Sequence, residues 1–200
     1  MNEKEKKDYV LVFGGPGASG CSTIAKMFAK YFDLEYVYGG ELMRKKVKEM
    51  GYENLEDFLT KEREEEIFKI DREIDTYLRK KASKGGVVID SKIFAGLASL
   101  EGIPCTAKVW IHASLYRRAI RSVSKLPDLS IGGKVKVFLS AVIDLQKRQK
   151  TDAKRYKDLY GIEYNDPLLY NDLVIDSTNI DEKQTFDLIL ERLKDGGYIE

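Results

Sequence analysis

The residues best suited to chemistry lie in GGPGASGCST, positions 14–23, directly after the apolar run Tyr9-Val10-Leu11-Val12-Phe13. Glycines between a buried strand and a helix let the backbone turn tightly, so that its N–H groups and the positive helix end face an anion. The stretch follows the phosphate-loop pattern G-x-x-x-x-G-K-[ST] at every fixed position but one: Cys21 stands where the lysine belongs. The Ser22 hydroxyl falls where that pattern needs a Mg²⁺ ligand.

The missing lysine has a chemical cost. A lysine there spans the β- and γ-phosphates and follows the charge that shifts during transfer. Cysteine is too short and carries no positive charge, and as a thiolate it would repel phosphate. Backbone binding survives the exchange, whereas phosphoryl transfer needs cations from elsewhere. The richest source is KRQKTDAKRYK, residues 147–157, with six basic side chains against one acid. Arg148 and Arg155 lie two helical turns apart and share a face; Arg118 and Arg121 form a second same-face pair. The plainer reading of each is a solvated basic surface.

Elements that would position these groups alternate along the chain. Strands are expected at 9–13, 35–37, 87–90, 107–111 and 173–175, separated by helices. The first helix runs from Ser22 with Ile24, Met27, Phe28 and Tyr31 on one face. Gly39-Gly40 is expected to break the chain before a helix at 41–50. Residues 64–81 form a long helix with Ile67, Ile70, Ile74 and Leu78 inward, and Val87–Asp90 ends on an acid. A helix at 114–123 leads to the turn-rich SKLPDLSIGG, 124–133, expected as a mobile loop. Lys134–Leu159 reads as a long helix with Val135, Phe138, Val142 and Leu145 inward. Asp181 caps a last helix with Phe186, Ile189, Leu190 and Leu193 on its apolar face. Continuous apolar strands between helices imply an α/β fold whose parallel sheet is covered on both faces.

Bulk properties narrow the function. Two hundred residues suit one domain, and 34 basic against 33 acidic side chains give a net charge of +1, which disfavours nucleic-acid binding. No apolar run approaches the roughly 20 residues of a membrane span. The opening MNEKEKKD lacks a signal-peptide core, and the two cysteines, Cys21 and Cys105, have no metal-site spacing. A reducing, cytoplasmic setting is expected. His112 reads as a strand-end surface residue, Trp110 as core and Cys105 as a loop residue. Tyr156, Tyr160, Tyr164 and Tyr170 suit either stacking on an adenine or packing beneath the basic helix.

Beyond the phosphate loop, the order of YGGELMR (38–44), KIDREID (69–75), VVIDSK (87–92) and AKRYKDLYGIEYNDPLLYNDLVIDST (153–178) resembles the cytidylate kinase family, in its short archaeal-type branch. The similarity runs from Tyr9 to Leu193. It implies a P-loop NTPase fold, with a five-stranded parallel sheet, helices on both faces, a helical monophosphate-binding insertion and a lid. One P-loop kinase domain would span 1–200, with the monophosphate-binding region at about 38–85 and the lid at about 122–158.

The resemblance implies ATP and Mg²⁺ as cofactors, CMP or dCMP as acceptor, and a monomer or weak dimer. Gly15, Gly17, Ala18, Ser19, Gly20, Cys21, Ser22 and Thr23 would hold donor phosphates, with Ser22 on the metal. Arg44 would grip the acceptor phosphate, and Asp71 and Arg72 would lie by the acceptor base. Asp90 would orient Mg²⁺-bound water or the acceptor, Lys92 would meet the acceptor phosphate, and Arg118, Arg148 and Arg155 would be the catalytic cations. This sequence departs from the family pattern at Cys21, at Lys92 in place of arginine, and at Tyr38 in place of a small hydroxyl residue. A nucleotide-binding regulatory protein without turnover, or a kinase for another small acceptor, is the alternative.

Overall fold

In the computed structural model, which describes residues 8–124 and 131–200, strands and helices alternate from end to end. The order is β1 (Val10–Gly14), α1 (Cys21–Phe32), β2 (Glu35–Tyr38), α2 (Gly39–Glu49), α3 (Leu55–Lys61), α4 (Glu64–Ala82), β3 (Val87–Asp90) and α5 (Phe94–Glu101). Then follow β4 (Ala107–His112), α6 (Leu115–Val123), α7 (Ile131–Tyr160), a short 3-10 turn, β5 (Leu173–Asp176) and α8 (Glu182–Asp195). The five strands pair in parallel in the order β2-β3-β1-β4-β5, the sheet that the apolar pattern implies.

β1 is fully buried at the centre, and its side chains alternate between two cores. Leu11 and Phe13 face α1 and α8, packing with Ile24, Phe28, Ile189 and Leu193. Val10 and Val12 face the other way, among Leu78, Phe94, Leu97 and Trp110. A smaller cluster of Met43, Val47, Phe58, Ile67 and Ile70 ties α2, α3 and α4 together. Register puts Phe13 beside Asp90 and Gly14 beside Trp110, so the phosphate loop and the acid at the end of β3 emerge side by side. Because β1 is followed by β2 on one side and flanked by β4 on the other, a crevice opens at these carboxyl ends, where open α/β sheets bind ligands.

Several boundaries differ from the sequence reading for physical reasons. Gly39 and Gly40 do not interrupt the chain; they form the first turn of α2. α3 and α5 were not expected. α5 is a short helix buried through Phe94, Ala95, Gly96, Leu97 and Ala98, so it shows no polar face to betray its period. Ile131, Gly132 and Gly133 already belong to α7, and the 125–130 portion of the expected loop lies outside the described residues. Val135 is exposed rather than inward, whereas Phe138, Val142 and Leu145 are half-buried. Tyr31 is 55% exposed, leaning edge-on against Phe32 and Phe186 at the rim of the core.

Phe28 joins α1 to both β1 and α8, its ring 5.0 Å from Phe13 and 4.5 Å from Phe186. Truncating so central an aromatic leaves a cavity that close packing cannot refill. Phe28→Ala is expected to lower stability by about 3–5 kcal/mol, read as a lower urea midpoint at unchanged slope.

Candidate active site

A cleft of about 310 Å³ opens at the carboxyl ends of β1, β2 and β3, and its walls include the whole loop Gly15–Thr23. The loop's shape follows from two left-handed residues, Ala18 at φ 64° and Gly20 at φ 94°, the latter starting α1. Such a turn points successive backbone N–H groups inward, as anion-binding nests do. A left-handed alanine is uncommon, and here it sits in the loop that the phosphate pattern marks out. Gly15 is required by space: a Cβ there would come within 2.2 Å of the Ile111 carbonyl oxygen.

Two arginines of α6 brace this loop from outside. Arg121 donates to the Ser19 carbonyl at 2.6 Å and to the Ser177 carbonyl at 2.8 Å, and Arg118 donates to the Gly17 carbonyl at 3.3 Å. These bonds tie the Gly17 and Ser19 carbonyls to α6. Arg118 is buried, its second nitrogen occupied by Gln149, and it does not line the cleft. Expected among the cations facing the phosphates, Arg118 here lies behind the loop, against the Gly17 carbonyl. Arg121, its same-face partner, makes the tighter brace.

Cys21 is buried beneath the loop and is not a thiolate. Burial, reinforced by the neighbouring Asp90 charge, raises its pKa well above that of a free thiol. Its Sγ lies 3.7 Å from one Asp90 oxygen as donor, while the Tyr36 hydroxyl donates to the other at 2.8 Å. The Ser22 hydroxyl also reaches this carboxylate. Burial pushes the Asp90 pKa up, and the donors Ser22, Tyr36 and Cys21 pull it back. The repulsion expected of a thiolate at this position does not arise.

The opposite wall carries cations in two states. Lys92 forms an ion pair with Asp152, whose other oxygen accepts from Arg155 at 3.4 Å. Burial lowers the Lys92 pKa, and Asp152 works against that. Arg155 also faces Asp71 at 3.6 Å, and both side chains are about nine-tenths buried. Its burial is outweighed by Tyr156, Asp71 and Asp152, so its pKa lies above the usual value. One Asp71 oxygen and two Arg155 nitrogens have no hydrogen-bond partner among the described residues. Arg44 and Arg148 line the same cleft with no carboxylate partner among the described residues, and Arg148 approaches Gly17 of the loop.

The structure thus brings together Arg44, Asp71, Asp90, Lys92, Arg148 and Arg155 with the loop. It does not bring Arg72, which is exposed on the far side of α4. The helical period explains this: one step from Asp71 turns the side chain by about 100°. The acid facing the cleft beside Asp71 is Asp75, one turn on, which accepts the Tyr160 hydroxyl. Asp75, Asp152 and Tyr36 were missed in the sequence, and Tyr160 was named there only for stacking or packing. Asp75 was legible as the second acid of KIDREID at i+4, and Asp152 as the only acid in the basic run. Tyr156 and Tyr164 are buried, ring centroids 5.6 Å apart, which favours packing over adenine stacking for both. His112 lies at the exposed end of β4 facing Asp176, and Trp110 is core.

Among the described residues no helix is long and apolar enough to cross a membrane, and no group of three or more His, Cys, Asp or Glu side chains forms a metal site. The oxygens of Ser22 and Asp90, side by side under the loop, are nonetheless the hard donors that Mg²⁺ takes alongside phosphate oxygens.

Comparison with known proteins agrees with this geometry. Residues 13–115 match the AAA domain family. A cytidylate kinase of Methanopyrus kandleri is 33% identical over 186 residues, covering 90% of this chain and 90% of the relative. One from Methanocaldococcus jannaschii is 33% identical over 180 residues, covering 90% and 94%. Among solved structures, a shikimate kinase from Bacteroides thetaiotaomicron superposes with a TM-score of 0.60 at 10% identity, over 96% of this chain and 99% of that one. A gluconokinase from Sinorhizobium meliloti gives 0.54 at 13%, over 94% and 93%. These structural neighbours share the fold.

Burial pushes the Asp75 carboxyl up to about 6, against the pull of the Tyr160 hydrogen bond. Asp75 therefore holds its proton more tightly folded than unfolded. Its contribution to stability is present below about pH 4 and is lost as pH rises through about 6. Asp75→Asn keeps an acceptor for Tyr160 without that ionisation. Relative to wild type, its stability is expected to improve by on the order of 1–3 kcal/mol between pH 4 and 7. Paired thermal melts across that range check this, and a gap independent of pH would contradict it.

Proposed function

The chain belongs to the AAA domain family and to the cytidylate kinases, and from that membership we propose that it transfers the γ-phosphoryl group of ATP to CMP or dCMP with Mg²⁺. It is a phosphotransferase of the P-loop kinase fold. The observation that carries the finer reading is the sharing of one cleft by the loop, Arg44, Lys92 and Asp71. Two phosphate groups can meet there in line, with a base beyond the second.

In this reading the backbone of Gly15–Thr23 and the N-terminus of α1 bind the donor phosphates. Arg148, leaning over Gly17 from α7, follows the γ-phosphoryl group, and Arg44 holds the acceptor phosphate from α2. Lys92 and Arg155 complete the positive lining, kept in place by Asp152. Asp71, whose Oδ2 faces Arg155 but accepts no hydrogen bond, would receive an amino group of the acceptor base. Mg²⁺, when bound at Ser22 and near Asp90, would supply charge neutralisation of the β- and γ-oxygens. No strong base is needed, because a phosphate monoester is already largely doubly ionised at pH 7. Positioning and charge carry the reaction.

The region 38–85 serves as the monophosphate-binding part of one kinase domain across 1–200, and 122–158 as a lid whose closure excludes water. Residues 125–130 of that lid lie outside the described residues. A cytoplasmic setting and a monomer or weak dimer belong to the same proposal. The second reading, a binder without turnover, draws on one observation: the side chain that replaces the lysine is a neutral thiol turned toward Asp90.

A coupled ADP-release assay across the nucleoside monophosphates tests the function. Turnover with CMP or dCMP is expected, and ATP binding with silence toward every acceptor would sink it. Arg148→Ala is expected to lower kcat by about 10²–10³-fold while ATP affinity changes much less, since its charge acts in the transition state. Cys21→Lys separates the two readings. A change in kcat below about tenfold is expected if the arginines already supply the charge, and a gain of about 10³-fold or more would favour the second.

A further inference from the structure

Tyr38 ends β2 and lines the cleft, and its surroundings are built around its ring. The Arg44 guanidinium, one and a half turns along α2, lies over that ring with its Cζ 5.0 Å from the centroid. Gly40 also lies against the ring. A Cβ at that position would come within 2.7 Å of the ring's Cε2 and 2.9 Å of its Cζ and hydroxyl oxygen. Gly40 does not adopt a positive φ, so its backbone makes no demand for glycine. The demand comes from the ring. The Tyr38 hydroxyl has no hydrogen-bond partner among the described residues.

A cation stacked on an aromatic face is held by the ring's quadrupole, and the guanidinium keeps its in-plane N–H donors free. Those edge donors are the ones that grip a phosphate bidentately. Arg44 has no carboxylate partner among the described residues, unlike Lys92 and Arg155. Without a fixed neighbour, a long side chain on an exposed helix face would search many rotamers before meeting its ligand.

We propose that Tyr38 is a positioning residue for the acceptor phosphate: its ring, seated against Gly40, orients the Arg44 guanidinium with its donor edge toward the cleft. This rests on the reading above that Arg44 holds the phosphate of a nucleoside monophosphate. It gives the departure at position 38 a purpose, since a small hydroxyl residue cannot stack.

The test measures KM for CMP, KM for ATP and kcat in Tyr38→Ser, Tyr38→Phe and Gly40→Ala. Tyr38→Ser is expected to raise KM for CMP by about three- to tenfold, the range of an exposed cation–π contact, with KM for ATP unmoved. Tyr38→Phe restores the wild-type value because the ring is what acts. Gly40→Ala, which displaces the ring without removing it, copies Tyr38→Ser. In an Arg44→Ala background Tyr38→Ser adds nothing further. The inference is overturned if Tyr38→Phe behaves as Tyr38→Ser, if KM for CMP does not move, or if the loss persists without Arg44. Wild-type silence toward all monophosphates would instead overturn the function reading and the inference with it. Tyr38→Ser removes the ring and Gly40→Ala displaces it, so a folding defect in one leaves the other, with Tyr38→Phe as its control, to decide.

Discussion

A carboxylate at the end of an interior strand must find donors or give up its charge, and the cleft is organised around how Asp90 does so. β3 lies between β2 and β1, which fixes Asp90 beside Phe13 and beneath the phosphate loop. Lysine at position 21 would have offered it a cation. This chain offers neutral groups instead: the Cys21 thiol and the Tyr36 phenol, one on each oxygen. Neutral donors lower the desolvation cost without cancelling the charge, so Asp90 retains an attraction for a divalent cation that an adjacent ammonium would have weakened. Cys21 is therefore part of a different balance, in which the positive charge for phosphate sits farther out.

That charge is distributed unevenly. The cleft's four cations, Arg44, Lys92, Arg148 and Arg155, face four acids, Asp71, Asp75, Asp90 and Asp152. Lys92 and Arg155 are already spoken for by Asp152 and Asp71 in a buried knot. Buried pairs contribute little net stability but hold their members in place, and removing one partner strands the other. Arg44 and Arg148 carry no such partner among the described residues, and each stands on a helix outside the sheet. The fixed pairs give the cleft its shape, and the free arginines give it the field that an incoming phosphate meets.

Much of this was legible in the sequence, within definite limits. The parallel sheet followed from three-to-five-residue apolar runs between helical periods, and the phosphate loop from glycine spacing. What escaped were features set by contacts across the fold. α5 is buried over its first five residues in a row and so has no amphipathic signature, and its Gly96 is explained by Ile162, which leaves no room for a Cβ. Gly39-Gly40 looked like a break because the sequence shows two glycines and not the Tyr38 ring that one of them accommodates. Arg72 and Arg118 were assigned by motif, which specifies order and leaves facing open. Helical geometry turns Arg72 to solvent, and the carbonyl of Gly17 claims Arg118.

The uneven charge also bears on why a phosphate loop can do without its lysine. A lysine in the loop is anchored at the N-terminus of α1 and stays beside the phosphates throughout a cycle. In the proposed function Arg148 reaches the donor phosphates from α7, so its charge is positioned by a different element from the one that forms the cradle. Arg118 and Arg121 of α6 brace the loop through the Gly17 and Ser19 carbonyls, so the cradle has supports of its own outside the cleft. In that proposal, binding rests on the loop backbone and transfer on cations carried by other helices, two demands that a single lysine in the loop would have tied together.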